Sequence, residues 1–387
     1  MAHANTVAHQ LLRVIPRHEF DAVAREADRR SRSLTCWAQF NALLFAQFTG
    51  RDSLRDVVNG LEARESELYH LGVGRVRRST LADANEKRPW EVYERVFEKA
   101  LAKCRGIAPK HGFRFRNPLY SLDATTVDLC LSVFPWAKFR KRKGAIKIHT
   151  LLDHRGHLPS AAVVTDGKKG DITVARKMHL EPGSVLAMDR GYVDFAWMEQ
   201  LDEDGIFFVT RLKTNIRYTT VRRFPKSKGD GVTSDANINL TGPTGAAYPR
   251  ALRRVRYVDA ETGNAYVFLT NAFHLSAKTI AEIYRQRWQI ELFFRWIKQH
   301  LKVKSFLGSS KNAVLTQVFV ALIAYLLVAF QAFQQRARAS SLTLLRLIQL
   351  NFFERTNLAT LFRGGGGPGQ DRDRQLPANP QLVLIGC

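Results

Sequence analysis

The chain has 387 residues, of which 45% are hydrophobic and 24% charged, so a wholly disordered polymer is excluded and two or three domains of roughly 100–200 residues each fit. Fifty-nine Lys and Arg against 35 Asp and Glu leave a formal charge of +24. An excess of that size draws polyanions, most often DNA or RNA; the plain alternative is a basic protein without such a ligand.

Four cysteines, Cys36, Cys104, Cys130 and Cys387, are scattered without C-x-x-C spacing or a neighbouring His cluster. That argues against a zinc site and suits free thiols in a reducing compartment. The opening MAHANTVAHQLL lacks the apolar centre of a secretory signal, so a cytoplasmic protein is expected. The run Val318 to Phe330 is apolar but too short for a membrane span of about 20 residues, and it reads as a buried core helix.

Residues 1–115 read as helical. Ser33 is the expected cap of a helix through Phe48, with Trp37, Phe40, Leu43, Leu44 and Phe48 at helical spacing and Gly50 as the stop. Ser53 restarts a helix through Leu61, Ser79 caps a short one over Thr80 to Ala84, and Pro89 opens one through about Lys103. Arg51, Arg55, Arg75, Arg77, Arg78 and Lys87 are expected on the surface. Such a module suits DNA binding, and equally a bundle that props its neighbour.

From Leu119 the period changes to two. PLYSLDATTVDLCLSVF reads as two strands with a tight bend, AIKIHTLLD and HLPSAAVVTDG as two more, and SVLAM and IFFVTRL as short apolar strands. Helices are expected at Ile172 to Lys177 and Phe195 to Gly205, giving an α/β sheet covered by helices. Residues 213–271 break the rhythm with alternating runs around a Gly-, Ser- and Asn-rich middle, a β-rich insertion. Its Arg217, Arg222, Arg223, Arg253, Arg254 and Arg256 line either a DNA surface or a solvated sheet face. One long helix follows from Ser276 to about Leu301, and the tail after Phe362 reads as loose.

The long helix carries YRQRWQIELFFRWIK. At about 100° per residue, Tyr284 and Lys298 lie roughly 20° from Glu291 and Arg287 about 40° away, so the four share one stripe. Ile290, Phe294, Ile297 and Leu301 form the neighbouring, packing stripe. An ordinary Arg287–Glu291 ion pair on a solvated face is the alternative. Two further acids, Asp123 and Asp189, follow apolar strands, the second before an Arg-Gly turn; open α/β sheets present ligands at such strand ends. Asp128, Asp153, Asp166 and Asp171 compete, although Asp128 falls on the other face of the Asp123 strand. Three carboxylates without a His or Cys cluster favour Mg²⁺ or Mn²⁺ over zinc, and paired ions of that kind serve phosphodiester chemistry.

Tyr284-x2-Arg287-x3-Glu291-x6-Lys298 resembles, in residue type and spacing, the Tyr-Arg-Glu-Lys signature of DDE transposases of insertion-sequence family four. LDATTVDL and MDRGY resemble the segments carrying that family's first and second aspartates, and LTNAF is similar as well. The resemblance covers about residues 30–340. It implies a ribonuclease-H-like core over 116–345 with a β-rich insertion at about 213–271, a helical N-terminal domain over 1–115 that binds DNA ends, and a partly flexible C-terminal segment over 346–387. It implies that Asp123, Asp189 and Glu291 are catalytic and hold Mg²⁺, for which Mn²⁺ substitutes, and that Tyr284, Arg287 and Lys298 bind DNA phosphates. The implied reaction is cut-and-paste transposition by a homodimer on paired terminal inverted repeats, inserting into target DNA in the bacterial cytoplasm, with no membrane involved. A flipped base held by an aromatic is also implied; Trp136 and Trp288 are candidates, with plain packing as the alternative, and His149 lies either beside the site or in the core. A DNA-binding repressor and a nuclease without strand transfer are the rival readings.

Overall fold

The apolar runs of the first 115 residues fold as helices in the computed structural model, which describes residues 5–29, 31, 34–140, 143–225 and 230–364. They are α1 (Val7–Leu12), α2 (Arg17–Asp28), α3 (Cys36–Thr49), α4 (Leu54–Glu62), α5 (Glu65–His70), α6 (Arg78–Lys87) and α7 (Glu91–Ile107). Ser33 lies outside the described residues, and Thr35 caps α3 instead, its hydroxyl accepting from the Ala38 N–H at 3.1 Å. Gly50 ends α3 with a left-handed φ of 68°, and Ser53 caps α4, both as expected. Two starts differ from expectation. α6 begins at Arg78 without a side-chain cap and runs on to Lys87. α7 begins only at Glu91, because its capping acceptor is distant in sequence: Asn312 Oδ1 takes the Trp90 N–H at 3.2 Å.

The period-two segments give β1 (Leu119–Leu129), β2 (Lys138–Arg140), β3 (Lys143–Asp153), β4 (Leu158–Asp166), β5 (Val185–Met188) and β6 (Phe207–Arg211), with α8 (Asp171–Ala175) and α9 (Phe195–Glu203) alongside. The expected bend within the first segment is absent. β1 is a single strand paired to β3 without a break from Tyr120↔Asp153 to Leu129↔Gly144, and turns follow it. The sheet runs β4-β3-β1-β5-β6, antiparallel through β4, β3 and β1, with β5 parallel to β1 and β6 parallel to β5. This is the ribonuclease-H-like arrangement.

The insertion does not form a sheet of its own. It contributes β7 (Tyr218–Arg223), β8 (Val232–Leu240), α10 (Pro243–Ala247), β9 (Leu252–Val258) and β10 (Ala265–Thr270). β10 pairs antiparallel with β6 and carries the others outward to β7. β8 lies in the Gly-, Ser- and Asn-rich middle, outside the alternating runs. Its strand character is masked by Asp235, only 6% exposed because Arg253 clamps it with two hydrogen bonds of 2.9 and 2.7 Å. Arg253 is therefore structural, whereas Arg217, Arg222, Arg223 and Arg256 are exposed.

Helices α11 (Ala277–Gln286), α12 (Trp288–His300), α13 (Lys311–Gln334), α14 (Ser341–Asn351) and α15 (Leu358–Gly364) complete the described chain, and the tail from 365 lies outside it. α13 holds the apolar run. It is long and apolar enough to cross a membrane, yet 89% of that stretch is buried inside the protein, against α3, α6 and α7. One core therefore joins the N-terminal helices, α13, and the β1–β3–β4 face that bears Val127, Ile146 and Ile148.

Asn271 fastens the end of the insertion to the core. Its amide donates to Asp202 Oδ1 (2.7 Å) and the Ile206 carbonyl (3.0 Å) and accepts from the Phe208 N–H (2.9 Å). Asn271→Ala leaves those partners unsatisfied at a 7% exposed position, and the expected loss is on the order of 2 kcal/mol. Urea unfolding checks it; an unchanged midpoint would mean that the amide is not holding the junction.

Candidate active site

Strand register sets the first two acids. β1 and β5 run parallel with Leu122 opposite Met188, so Asp123 and Asp189 occupy the next position on neighbouring strands. Adjacent strands lie about 4.8 Å apart, and equivalent positions face the same way. Asp123 is held by the Ala124 N–H, which donates to its Oδ1 at 2.8 Å. Asp189 caps the single 3₁₀ turn Arg190–Tyr192, its Oδ2 accepting from the Gly191 N–H at 3.3 Å.

The third acid arrives on α12. The stripe expected on one continuous helix is instead divided at Arg287, between α11 and α12. There the Arg287 N–H donates to the Tyr284 carbonyl and the Ile290 N–H to the Arg287 carbonyl, i→i−3 bonds that tighten the chain locally. A 3₁₀ step inside a helix commonly marks a functional hinge. The packing stripe of Ile290, Phe294, Ile297 and Leu301 is buried as expected and sets α12 on β1.

Across this junction the signature residues meet. Arg287, with a side chain 13% exposed, donates to Glu291 Oε1 at 2.7 Å and reaches Asp123 Oδ2 at 3.5 Å. Tyr284 donates to Asp189 Oδ1 at 3.3 Å and packs its ring 5.0 Å from that of Phe268 on β10. Lys298 stands apart from the acids and donates to the Thr126 carbonyl on β1 at 2.8 Å.

The electrostatics follow from burial. The Asp123 carboxyl is pushed up from 3.8 to about 6, mainly by desolvation, against the pull of Arg287 and with Glu291 and Asp189 pushing the same way. Desolvation also drives Tyr284 up to about 12, so its hydroxyl is a donor at neutral pH. Lys298 is lowered, first by burial and then by Lys304.

The competing acids are engaged elsewhere. Asp153 is fully buried against Arg155, Asp166 accepts the Lys168 N–H, Asp128 is exposed, and Asp171 pairs with Lys147 at 2.9 Å. His149 is on the opposite face from Asp123, paired with Ala124 in register and bonded to Thr165. Burial lowers it to about 4, so it is a neutral structural histidine. The Trp136 indole donates to the Ser309 carbonyl at 2.7 Å, a packing role, whereas the buried Trp288 N–H has no acceptor among the described residues. Tyr192, in the Asp189 motif, is a residue to which spacing alone assigned no role.

Three carboxylates with no nitrogen or sulfur ligand suit a hard divalent cation. Among the described residues no three His, Cys, Asp or Glu side chains are gathered closely enough to enclose a metal as they stand. The guanidinium of Arg287 bridges two of the acids in its place.

A ribonuclease-H-like sheet with two strand-end aspartates and a helix-borne glutamate defines the class of metal-dependent phosphodiester-transfer enzymes. The family model described as the transposase DDE domain matches residues 114–327, and a domain of unknown function (DUF4372) matches residues 3–74. The chain is 36% identical over 287 residues to the putative transposase y4zB of Sinorhizobium fredii, covering 73% of this chain and 79% of that one. It is 32% identical over 260 residues to the probable transposase for insertion sequence element IS5377 of Geobacillus stearothermophilus, covering 66% and 68%. A piggyBac transposase synaptic complex with hairpin DNA is similar at a TM-score of 0.46 and 12% identity, over 95% of this chain and 83% of that one. The chain belongs to the DDE transposases of bacterial insertion sequences. It binds DNA, and with divalent metal ions it cleaves DNA and transfers the strand in transposition.

The raised Asp123 carboxyl has a measurable consequence. A carboxyl that holds its proton more tightly folded than unfolded makes stability fall as pH rises, here between about 4 and 6, and the penalty then persists. Asp123→Asn should raise the stability of the metal-free protein at pH 7.5, by at most about 3 kcal/mol, with the gain vanishing below pH about 4. Melts in chelator across pH test this; a variant less stable at pH 7.5 would show that Arg287 outweighs desolvation.

Proposed function

We propose that Asp123, Asp189 and Glu291 are the catalytic acids and hold two Mg²⁺ ions, for which Mn²⁺ substitutes. Tyr284, Arg287 and Lys298 grip phosphates of the transposon end. What supports the reading is the contact set Tyr284–Asp189, Arg287–Asp123 and Arg287–Glu291, which engages five of the six side chains from β1, the end of β5, α11 and α12. When bound, two such ions activate the attacking oxygen and stabilise the leaving one.

The protein's own groups position the DNA. Arg287 serves two carboxylates; with divalent cations on those acids, its planar fork would be free to take a phosphate with two hydrogen bonds. Lys298, farther along α12, supplies a point charge to the next phosphate. Tyr284 stays protonated and orients Asp189 while its hydroxyl edge meets the backbone.

On this reading residues 1–115 bind the transposon end, 116–345 form the catalytic core and 346–387 a C-terminal segment. Two copies work as a homodimer on paired terminal inverted repeats before insertion into target DNA, in the bacterial cytoplasm. The exposed Arg51, Arg55, Arg75, Arg77 and Arg78 provide the phosphate contacts of the first region.

The test is cleavage and joining of a labelled end of the element. Asp189→Asn should abolish cleavage while end binding persists; cleavage at the wild-type rate would remove Asp189 from the site. Lys298→Ala should cut cleavage roughly 100-fold by misplacing the scissile phosphate, with little change in melting temperature, and Lys298→Arg should recover part of it. Full activity in Lys298→Ala would defeat the phosphate-clamp role.

A further inference from the structure

Tyr192 ends the 3₁₀ turn that Asp189 caps, and its N–H donates to the Asp189 carbonyl at 3.0 Å. The residue is 4% exposed and belongs to the same buried cluster as Leu122, Leu151, Met188 and Phe195. Its hydroxyl is buried and has no hydrogen-bond partner among the described residues. Buried hydroxyls are nearly always paired, so an orphan beside an active site calls for a partner in another state of the enzyme.

The surrounding charges narrow that partner. Burial, then Asp123, Asp171 and Asp189, raise the phenol, with Arg287 opposing. The group is therefore a fixed donor at neutral pH. Of the three acids, Asp171 is already paired with Lys147 and its side chain is 41% exposed, so it has both a cation and water. Asp123 and Asp189 remain. A carboxylate that gives one oxygen to a cation keeps a second oxygen in need of a donor, and donors of that kind fix the orientation of metal ligands.

We propose that Tyr192 is a positioning residue of the metal site, its hydroxyl donating a hydrogen bond to the Asp123–Asp189 carboxylate pair when divalent cations are bound. The proposal rests on the assignment of those aspartates as metal ligands. The turn geometry explains how it works: the cap that orients Asp189 also fixes the tyrosine, so one short motif delivers both a ligand and its supporting donor.

Tyr192→Phe in the full chain removes the hydroxyl and nothing else. Mn²⁺ binding to the complex with end DNA, read by electron paramagnetic resonance, should weaken about 10- to 100-fold. The Mn²⁺ concentration for half-maximal cleavage should rise in step. In chelator the melting temperature should be unchanged or higher, because no existing hydrogen bond is lost. Wild-type Mn²⁺ affinity overturns the proposal. So does a lower melting temperature in chelator, which would mean that the hydroxyl already serves the fold. Asp189→Asn is the control: if it binds Mn²⁺ as the wild type does, the site assignment itself fails, whatever the tyrosine variant shows.

Discussion

The guanidinium of Arg287 is what allows Asp123 and Glu291 to approach one another inside the fold. Burial disfavours the ionised Asp123 carboxyl, and Glu291 and Asp189 push the same way. One planar cation answers two of them at once, from a residue only 13% exposed. Both requirements on that residue, reaching β1 and its own helix, coincide with the tightened backbone between α11 and α12. On the proposed mechanism the guanidinium neutralises the acids only until divalent cations take the carboxylates and a phosphate takes the guanidinium.

The rest of the architecture holds the parts of that arrangement still. Adjacent parallel strands fix the two aspartates at one level. The insertion extends the same sheet through β10, and Phe268 on that strand backs the Tyr284 ring. Arg253 ties the insertion to the approach to α11, donating to the Leu275 carbonyl at 2.5 Å as well as to Asp235. The insertion is thus a brace for the helix that brings the signature, in addition to whatever its exposed arginines contact. On the same face as α12, α13 supplies a floor shared with the N-terminal helices, which makes their position relative to the site a matter of core packing.

Local patterns made the extended character of β1, β3 and β4 and the residues of the signature helix legible, because period and spacing are local properties, but they revealed neither the unbroken run of β1 nor β2. The motifs also named six candidate site residues, of which three contacts link five, while Lys298 stands apart on the Thr126 carbonyl. What was hidden was carried by partners far away in sequence. The cap of α7 comes from Asn312, the burial of Asp235 in β8 depends on Arg253, and Arg287, where the helix divides, reaches an acid on β1. His149 shows the same limit: its alternation is plain, but which face it occupies follows from pairing with β1. Tyr192 was visible as a letter in a motif, and only its buried, unpartnered hydroxyl gives it a role to test.

The central claim is that the acids exchange Arg287 for divalent metal when DNA is bound. A crystal structure of the protein on its transposon end, soaked in Mn²⁺ and phased for anomalous scattering, tests it most directly. The account predicts manganese peaks ligated by Asp123, Asp189 and Glu291, with the Arg287 guanidinium moved onto a DNA phosphate. Manganese bound elsewhere, or Arg287 still bridging Asp123 and Glu291 in the DNA complex, would contradict it.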